Sequence, residues 1–181
     1  MNPTRLASRP QTGFTLIESL IGLAVVGVIV GSVLPNFGAA LERRHLEGAA
    51  AQLETDILYT RSQAVATNES LRMRFQQGGS GSCYVVHSGP ANACECQADG
   101  SATCSAAGQT YRSVGFAPTG AVQLRANVNA ILFSPNLGTS TPTGTLRLSG
   151  RQDRAVHLVV NLMGRVRACS PGAAVNGYPA C

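Results

Sequence analysis

The feature that most constrains this chain is an apolar run at residues 14–34, which ends at Pro35 and contains a single charged residue, Glu18. At about 1.5 Å per residue, a helix over this run would be about 31 Å long, which is enough to cross the apolar core of a bilayer. A carboxylate inside such a span is costly, so Glu18 is expected to have a function. The run predicts an N-terminal helix that anchors the chain in a membrane.

The segment before the apolar run is short, polar and basic. Residues 1–13 contain Arg5 and Arg9 and no acidic residue. Basic residues keep that end of a spanning helix in the cytoplasm, so the chain after Pro35 is expected to lie outside it. A secretory signal would be cleaved after its apolar run, whereas the small residue here, Gly13, precedes the run. The order favours a leader that is removed in front of the helix.

The junction between leader and helix has a specific sequence. Residues 13–18, Gly-Phe-Thr-Leu-Ile-Glu, resemble the cleavage and methylation site of the type IV pilin family. The resemblance implies that a prepilin peptidase cuts after Gly13, that Phe14 becomes the N-methylated first residue, and that Glu18 acts in assembly. In an apolar bundle of helices, the carboxylate of Glu18 would neutralise the new α-amine of a neighbouring subunit.

Six cysteines follow the apolar run. An even number confined to that part of the chain is typical of a disulfide-bonded domain outside the cytoplasm. Cys169 and Cys181 enclose a tail containing proline and glycine and are expected to pair. The other four allow 83–96 with 94–104, or 83–94 with 96–104, or 83–104 with a strained 94–96 bond. A zinc site would be the alternative use of these residues, and export favours disulfides over it. The four are Cys83, Cys94, Cys96 and Cys104, with His87 as a further ligand of the alternative zinc site.

Residues 39 to 66 contain no proline and are expected to form a helix that is continuous with the membrane segment or kinked from it. Its apolar residues recur at spacings of three, four or seven and form one stripe, which predicts a helix with that stripe facing a sheet. Thr67 and Asn68 are expected to end the helix. The stripe consists of Leu46, Ala50, Leu53, Ile57 and Ala64.

Alternation of apolar and polar residues replaces the helical pattern from residue 71 onward. Leu71, Met73 and Phe75 alternate with Arg72 and Arg74, as in a strand with one face in a core. Residues 88–110 are rich in Gly, Ala and Ser and are expected to form a surface loop. Other expected strands are 83–87, 112–117, 121–125, 130–134, 145–149, 154–161 and 164–168.

The part beyond the membrane narrows the resemblance. Residues 53–68 resemble the end of the helix in the GspH/FimT group of minor pilins and pseudopilins, and Gly164-Arg165-Val166-Arg167 resembles the Gly-Arg-x-Arg element of FimT-like proteins. The resemblance implies an α+β, type IV pilin-like fold, with a long N-terminal membrane-spanning helix packed on a C-terminal antiparallel β-sheet. Its expected parts are a leader (1–13), a transmembrane and assembly helix (14–35), the periplasmic part of that helix (36–68) and a β-rich domain (69–181).

The same resemblance implies a function. A FimT-like minor pilin is incorporated into a type IV pilus or primes it, and binds DNA non-specifically during natural transformation. The alternative is a minor pseudopilin of a type II secretion system. Either protein would cross the bacterial inner membrane once with its C-terminal domain in the periplasm, and the pilin would become extracellular on assembly. The implied partners are other pilin subunits, the prepilin peptidase, the inner membrane and double-stranded DNA.

Arg165 and Arg167 are the main candidates for DNA binding. Residues two apart in a strand share a face and lie roughly 6.6 Å apart, so their guanidinium groups could meet successive phosphates. All fourteen basic residues are arginine and the net charge is +5, which is compatible with a polyanionic partner. Gly164 belongs to the same element, and the patch is expected to extend to Arg147, Arg151 and Arg154.

Catalytic motifs are not found in the sequence. His45, His87 and His157 are scattered along the chain, and neither an HExxH nor a GxSxG motif occurs. An enzyme on a pilin-like anchor is therefore the least favoured hypothesis, and neither a catalytic site nor a cofactor or metal is predicted.

Overall fold

The computed structural model describes residues 13–151 and 154–181, without the side chains of residues 32–37 and of Ala173. The predicted leader, apart from Gly13, and the side chain of Pro35 therefore lie outside the described part. The chain divides into two compact units, one up to Ala39 and one from Ala40 to Cys181. Helix α1 (Leu16–Thr67) contributes residues to both units.

The first unit contains the N-terminal part of α1. Thr15 precedes the helix, and its hydroxyl accepts a hydrogen bond from the backbone N–H of Glu18 at 3.3 Å. This is the arrangement by which threonine satisfies a free N–H group at a helix start. The apolar side chains between residues 14 and 31 are exposed, among them Phe14 at 84% and Val28 at 74%. Within the helical residues whose side chains are described, no stretch is long and apolar enough to cross a membrane.

The second unit is built around antiparallel sheets. The main sheet has the strand order β5-β2-β1-β7-β8, the second sheet has the order β11-β10-β9-β6, and β3 and β4 form a separate hairpin. The strands are β1 (Leu71–Gly78), β2 (Gly81–Ser88), β3 (Cys94–Cys96), β4 (Ala102–Cys104), β5 (Thr110–Phe116), β6 (Gln123–Ala126), β7 (Ala130–Phe133), β8 (Ser140–Thr141), β9 (Gly144–Ser149), β10 (Ala155–Val160) and β11 (Val166–Cys169).

The predicted helical stripe forms one side of the core. Each of its five residues is at most 1% exposed, and they pack with Leu71, Met73 and Phe75 of β1, which confirms both patterns. The helix ends at Thr67 because Asn68 adopts a left-handed φ of 53°, a conformation that asparagine tolerates better than most residues. The α+β fold expected from the sequence is thus confirmed, with two sheets and a hairpin where one sheet was expected.

A buried polar contact fixes the helix on the main sheet. The Asp56 carboxylate is 2% exposed and accepts a hydrogen bond from the Tyr84 hydroxyl at 2.6 Å. The Arg112 guanidinium lies 2.8 Å from the same oxygen. Burial and the neighbouring carboxylate raise the pKa of Tyr84, so the phenol remains a donor. No pattern in the sequence indicates this contact, because its three residues are far apart along the chain.

The surface loop predicted at residues 88–110 is corrected by the structure. This segment contains the β3–β4 hairpin and covers the face of the main sheet that lies away from α1, where it buries Val85 and His87. The disulfide Cys83–Cys96 ties it to β2, and Cys94–Cys104 links β3 to β4 within it. The prediction failed because the small residues that suggested a loop are those that allow the hairpin to approach the sheet closely.

Candidate nucleic-acid interface

The predicted DNA-binding element lies at a tight turn between β10 and β11. The Gly164 N–H donates to the carbonyl of Asn161 at 2.9 Å, and the Asn161 side-chain oxygen accepts from the Arg165 N–H at 3.0 Å. Gly164 has a φ of 67°, which a glycine adopts without steric cost. The turn therefore depends on Asn161 and Gly164, and it sets where Arg165 leaves the hairpin.

Gly164 also packs against two other elements. The Arg61 Nε on α1 donates to the carbonyl of Gly138 at 2.9 Å, in the loop between β7 and β8. A Cβ at position 164 would lie 2.6 Å from that carbonyl oxygen and 2.8 Å from the Arg61 Cδ. Gly164 is buried, so it positions the hairpin and does not present a surface of its own.

Arg165 and Arg167 are both exposed, but they are not two residues of one strand. β11 begins at Val166, so Arg165 belongs to the turn and Arg167 to the strand. Arg167 lies opposite Val159 of β10. The predicted strand at 164–168 thus starts two residues too early, because the turn hydrogen bonds of Asn161 extend to Arg165.

Arg151 and Arg154 lie at the other end of β10. Their turn joins β9 to β10, and the register places Arg154 about 23 Å from Arg165 along the strand direction. The Arg151 guanidinium donates to the Thr119 carbonyl at 2.9 Å, and its backbone N–H donates to Glu42 at 2.7 Å. Arg151 and Arg154 therefore do not adjoin Arg165 and Arg167 in the patch that the sequence predicted.

A row of basic residues crosses the second sheet between these two ends. Arg125 of β6 lies opposite Arg147 of β9, and Arg147 lies opposite His157 of β10. The residues that alternate with this row, such as Leu146 and Leu148, are fully buried, so the row lies on the opposite, outward face. We call the set Arg125, Arg147, His157, Arg165 and Arg167 the basic face.

The basic face has little compensating charge. Within residues 13–151 and 154–181, no carboxylate forms an ion pair with any of its four arginines. The pKa of His157 is lowered, first by burial and then by the positive charge of Arg147. An uncompensated positive face attracts polyanions.

The disulfide Cys169–Cys181 borders the basic face and holds the tail against β11. Cys169 lies opposite His157, whose Nδ1 is 3.7 Å from the Cys181 Sγ. These three side chains lie within 4.8 Å of one another, but both sulfur atoms are taken up by the disulfide. The group therefore acts here as a covalent clamp at the edge of the sheet.

The other histidines lie on separate elements. His45 is exposed on α1, and His87 is fully buried on β2. The His87 Nδ1 is 2.9 Å from the Ser88 carbonyl, so that nitrogen carries the proton and donates it. Burial lowers the pKa of His87, and the nearby Arg72 and Arg74 lower it further.

A helix packed on antiparallel sheets, preceded by an exposed apolar helical segment, defines a type IV pilin-like protein. Residues 49–164 match the family described as Type II transport protein GspH, and residues 8–34 match the prokaryotic N-terminal methylation motif. The chain belongs to the GspH family of minor pilins and pseudopilins.

Two solved structures share the fold. The type IV minor pilin FimU of Pseudomonas aeruginosa (strain PAO1) has a TM-score of 0.53 at 20% identity, covering 72% of this chain and 95% of FimU. The minor pseudopilin EpsH from the type 2 secretion system of Vibrio cholerae has a TM-score of 0.52 at 12% identity, covering 70% of this chain and 98% of EpsH.

A curated relative is similar over a shorter stretch. The competence protein ComGD of Bacillus subtilis (strain 168) is 28% identical over 67 residues, which is 37% of this chain and 47% of ComGD. The chain thus spans about half the length of the curated relative that it matches.

Proposed function

We propose that this chain is a FimT-like minor pilin that is incorporated into or primes a type IV pilus, and that it binds double-stranded DNA non-specifically during uptake. The observation that carries the proposal is the exposure of Arg165 and Arg167 at a hairpin held in place by Gly164, Gly138 and Arg61. The similarity to a competence protein supports a role in DNA uptake.

Anchoring and assembly rest on the N-terminal segment. A prepilin peptidase would cleave between Gly13 and Phe14, and Phe14 would be N-methylated. Residues 14–35 would then cross the inner membrane, with residues 36–181 in the periplasm until the subunit enters a pilus. The exposed apolar side chains of this segment suit contact with lipid or with other pilin helices. Glu18 would pair with the α-amine of a neighbouring subunit.

Maturation can be tested by the intact mass of the chain isolated from membranes. The expected mass corresponds to loss of residues 1–13 and gain of one methyl group. A Glu18→Ala variant should be processed normally but incorporated poorly into pili. An unprocessed chain, or normal incorporation of the variant, would contradict this part of the proposal.

DNA binding would act through phosphates. A guanidinium group donates two parallel hydrogen bonds to a phosphate, and such contacts hold DNA in place without reading its sequence. Binding should therefore be tolerant of sequence and sensitive to salt. Arg151 and Arg154, at the far end of β10, would contribute only when a duplex extends along the whole sheet.

The test is a binding titration of the full chain, purified in detergent, with labelled double-stranded DNA. Each lost phosphate contact lowers the log–log salt slope by about 0.9, so Arg165→Gln/Arg167→Gln should lower it by about 1.8. Arg44→Gln is the control, because Arg44 is a highly exposed arginine on α1 that does not belong to the basic face. Absence of binding at low salt, or an unchanged slope in the double variant, would refute DNA binding and leave the pilin fold intact.

The second candidate is a minor pseudopilin of a type II secretion system. Its specific support is the match to the GspH family and the fold shared with EpsH. Genes for secretion components beside this gene, together with a failure to bind DNA, would favour it.

A further inference from the structure

We propose that the DNA strand continues from Arg165 and Arg167 across the second sheet, where Arg125 and Arg147 hold its next phosphates in a shallow groove. This inference rests on the proposed function and gives the bound DNA a direction. It adds Arg125, a residue outside the Gly-Arg-x-Arg element, and it assigns Arg147 a neighbour that the sequence does not reveal.

The strand register places Arg125 and Arg147 in one row across the second sheet, with Arg167 and Arg165 two and four residues from that row on the β11 side. Arg167 lies on the β11 edge and Arg125 on the β6 edge, with Arg147 on β9 between them. Three strand spacings of about 4.8 Å separate the edges, a width of about 14 Å. Successive phosphates of one strand lie about as far apart as two residues of one face of a strand, roughly 6.6 Å, so this width corresponds to about two phosphate intervals. One DNA strand that crosses the sheet can therefore contact the arginine pair at the β11 edge and the pair on β9 and β6.

The pairing of Arg125 with Arg147 also argues for an anionic ligand. Like charges directly opposite each other on neighbouring strands are destabilising. Within residues 13–151 and 154–181, neither arginine has an ion-pair partner. A phosphate between the two guanidinium groups would turn this repulsion into attraction on binding.

A groove follows the row of basic residues. It has a volume of about 630 Å³ and lies between the second sheet and the β1–β2 turn. Gly78, the last residue of β1, has open space where a side chain would stand, which leaves the groove accessible. The Gln77 amide is held by the Ala126 carbonyl at 3.0 Å, so the wall is fixed. Among the residues that the structure describes, the groove is lined by arginine, histidine, glutamine and small or apolar residues, without a carboxylate.

The test compares the full chain with Arg125→Gln/Arg147→Gln in the same DNA titration, again with Arg44→Gln as control. With four phosphate contacts, raising salt from about 50 to about 200 mM should weaken wild-type binding about 150-fold. With two contacts left, the double variant should lose only about 12-fold. Its melting temperature should be unchanged or higher, because a repulsive pair is removed.

The outcomes separate the inference from the function it rests on. A wild-type salt dependence in Arg125→Gln/Arg147→Gln, together with a reduced one in Arg165→Gln/Arg167→Gln, overturns the inference and leaves DNA binding in place. A reduced salt dependence in both double variants supports DNA binding and the contacts at Arg125 and Arg147. A wild-type chain that fails to bind DNA at low salt overturns both.

Discussion

Replacing Gly164 by alanine tests whether the junction of α1, the Gly138 loop and the β10–β11 hairpin holds the binding arginines in place. The substitution forces a Cβ onto a residue with a φ of 67°. It also places that carbon 2.6 Å from the Gly138 carbonyl oxygen, a contact that the backbone must relieve by moving. The neighbouring Arg61 side chain, 2.8 Å away at Cδ, must shift as well.

The expected cost has two parts. A left-handed conformation costs an alanine about 1–2 kcal/mol. Displacing Arg61 weakens its hydrogen bond to Gly138, and a hydrogen bond from a charged group contributes about 1.5–3 kcal/mol. The sum is between about 2.5 and 5 kcal/mol, and the lower end is expected because Arg61 is only partly buried.

Gly172→Ala is the matched control. Gly172 has a nearly identical φ of 60°, and a Cβ there meets no atom within 4 Å. It should cost only the conformational part, about 1–2 kcal/mol. Urea unfolding of both variants measures the difference, and DNA titration should show weaker binding for Gly164→Ala alone. Equal costs for the two variants would refute the claim that close packing at Gly164 holds the hairpin.

Three further predictions concern stability. Tyr84→Phe removes the hydrogen bond to the buried Asp56 carboxylate and should lower the unfolding free energy by about 1.5–3 kcal/mol, whereas a loss below about 0.5 kcal/mol would contradict the assigned contact. Because burial lowers the pKa of His87 below its usual 6.5, stability present above that pH should be lost as the pH falls, at up to about 1.4 kcal/mol per unit. His87→Leu should reduce that decline. Parallel pH profiles of the unfolding free energy in wild type and variant would contradict a role of His87 in it. Replacing Cys169 and Cys181 by serine should cost about 3 kcal/mol in urea unfolding, and an unchanged midpoint would exclude a stabilising role.

Much of the fold was predictable because periodicity reports directly on burial. The helical stripe ending at Ala64 and the alternation of Leu71, Met73 and Phe75 describe surfaces that face one core, and both were correct. The N-terminal motif was equally informative, because a carboxylate at Glu18 in an apolar run has few explanations.

The candidate site was less predictable, because it depends on which strands are neighbours. Arg125 and Arg147 are 22 positions apart in the sequence and become adjacent only through the pairing of β6 with β9. Conversely, Arg151 and Arg154 are near Arg165 in the sequence, but they lie at one end of β10 and Arg165 lies at the other. Local patterns do not contain this information.

The cap over the main sheet was also missed for a physical reason. The hairpin of β3 and β4 has short strands, Cys94–Cys104 closes it, and the disulfide Cys83–Cys96 ties it to β2. Cysteine spacing left three pairings open, so the sequence did not determine which sulfur atoms meet or which surface the segment covers.

The salt dependence of DNA binding by the unmodified full chain shows how many arginines of the basic face contact phosphates. Four phosphate contacts on the basic face predict a slope of about −3.6 for log affinity against log salt concentration with double-stranded DNA of unrelated sequences. A slope of about −1.8 would mean that only Arg165 and Arg167 contact phosphates. Failure to bind at low salt would contradict the assignment of the basic face to DNA.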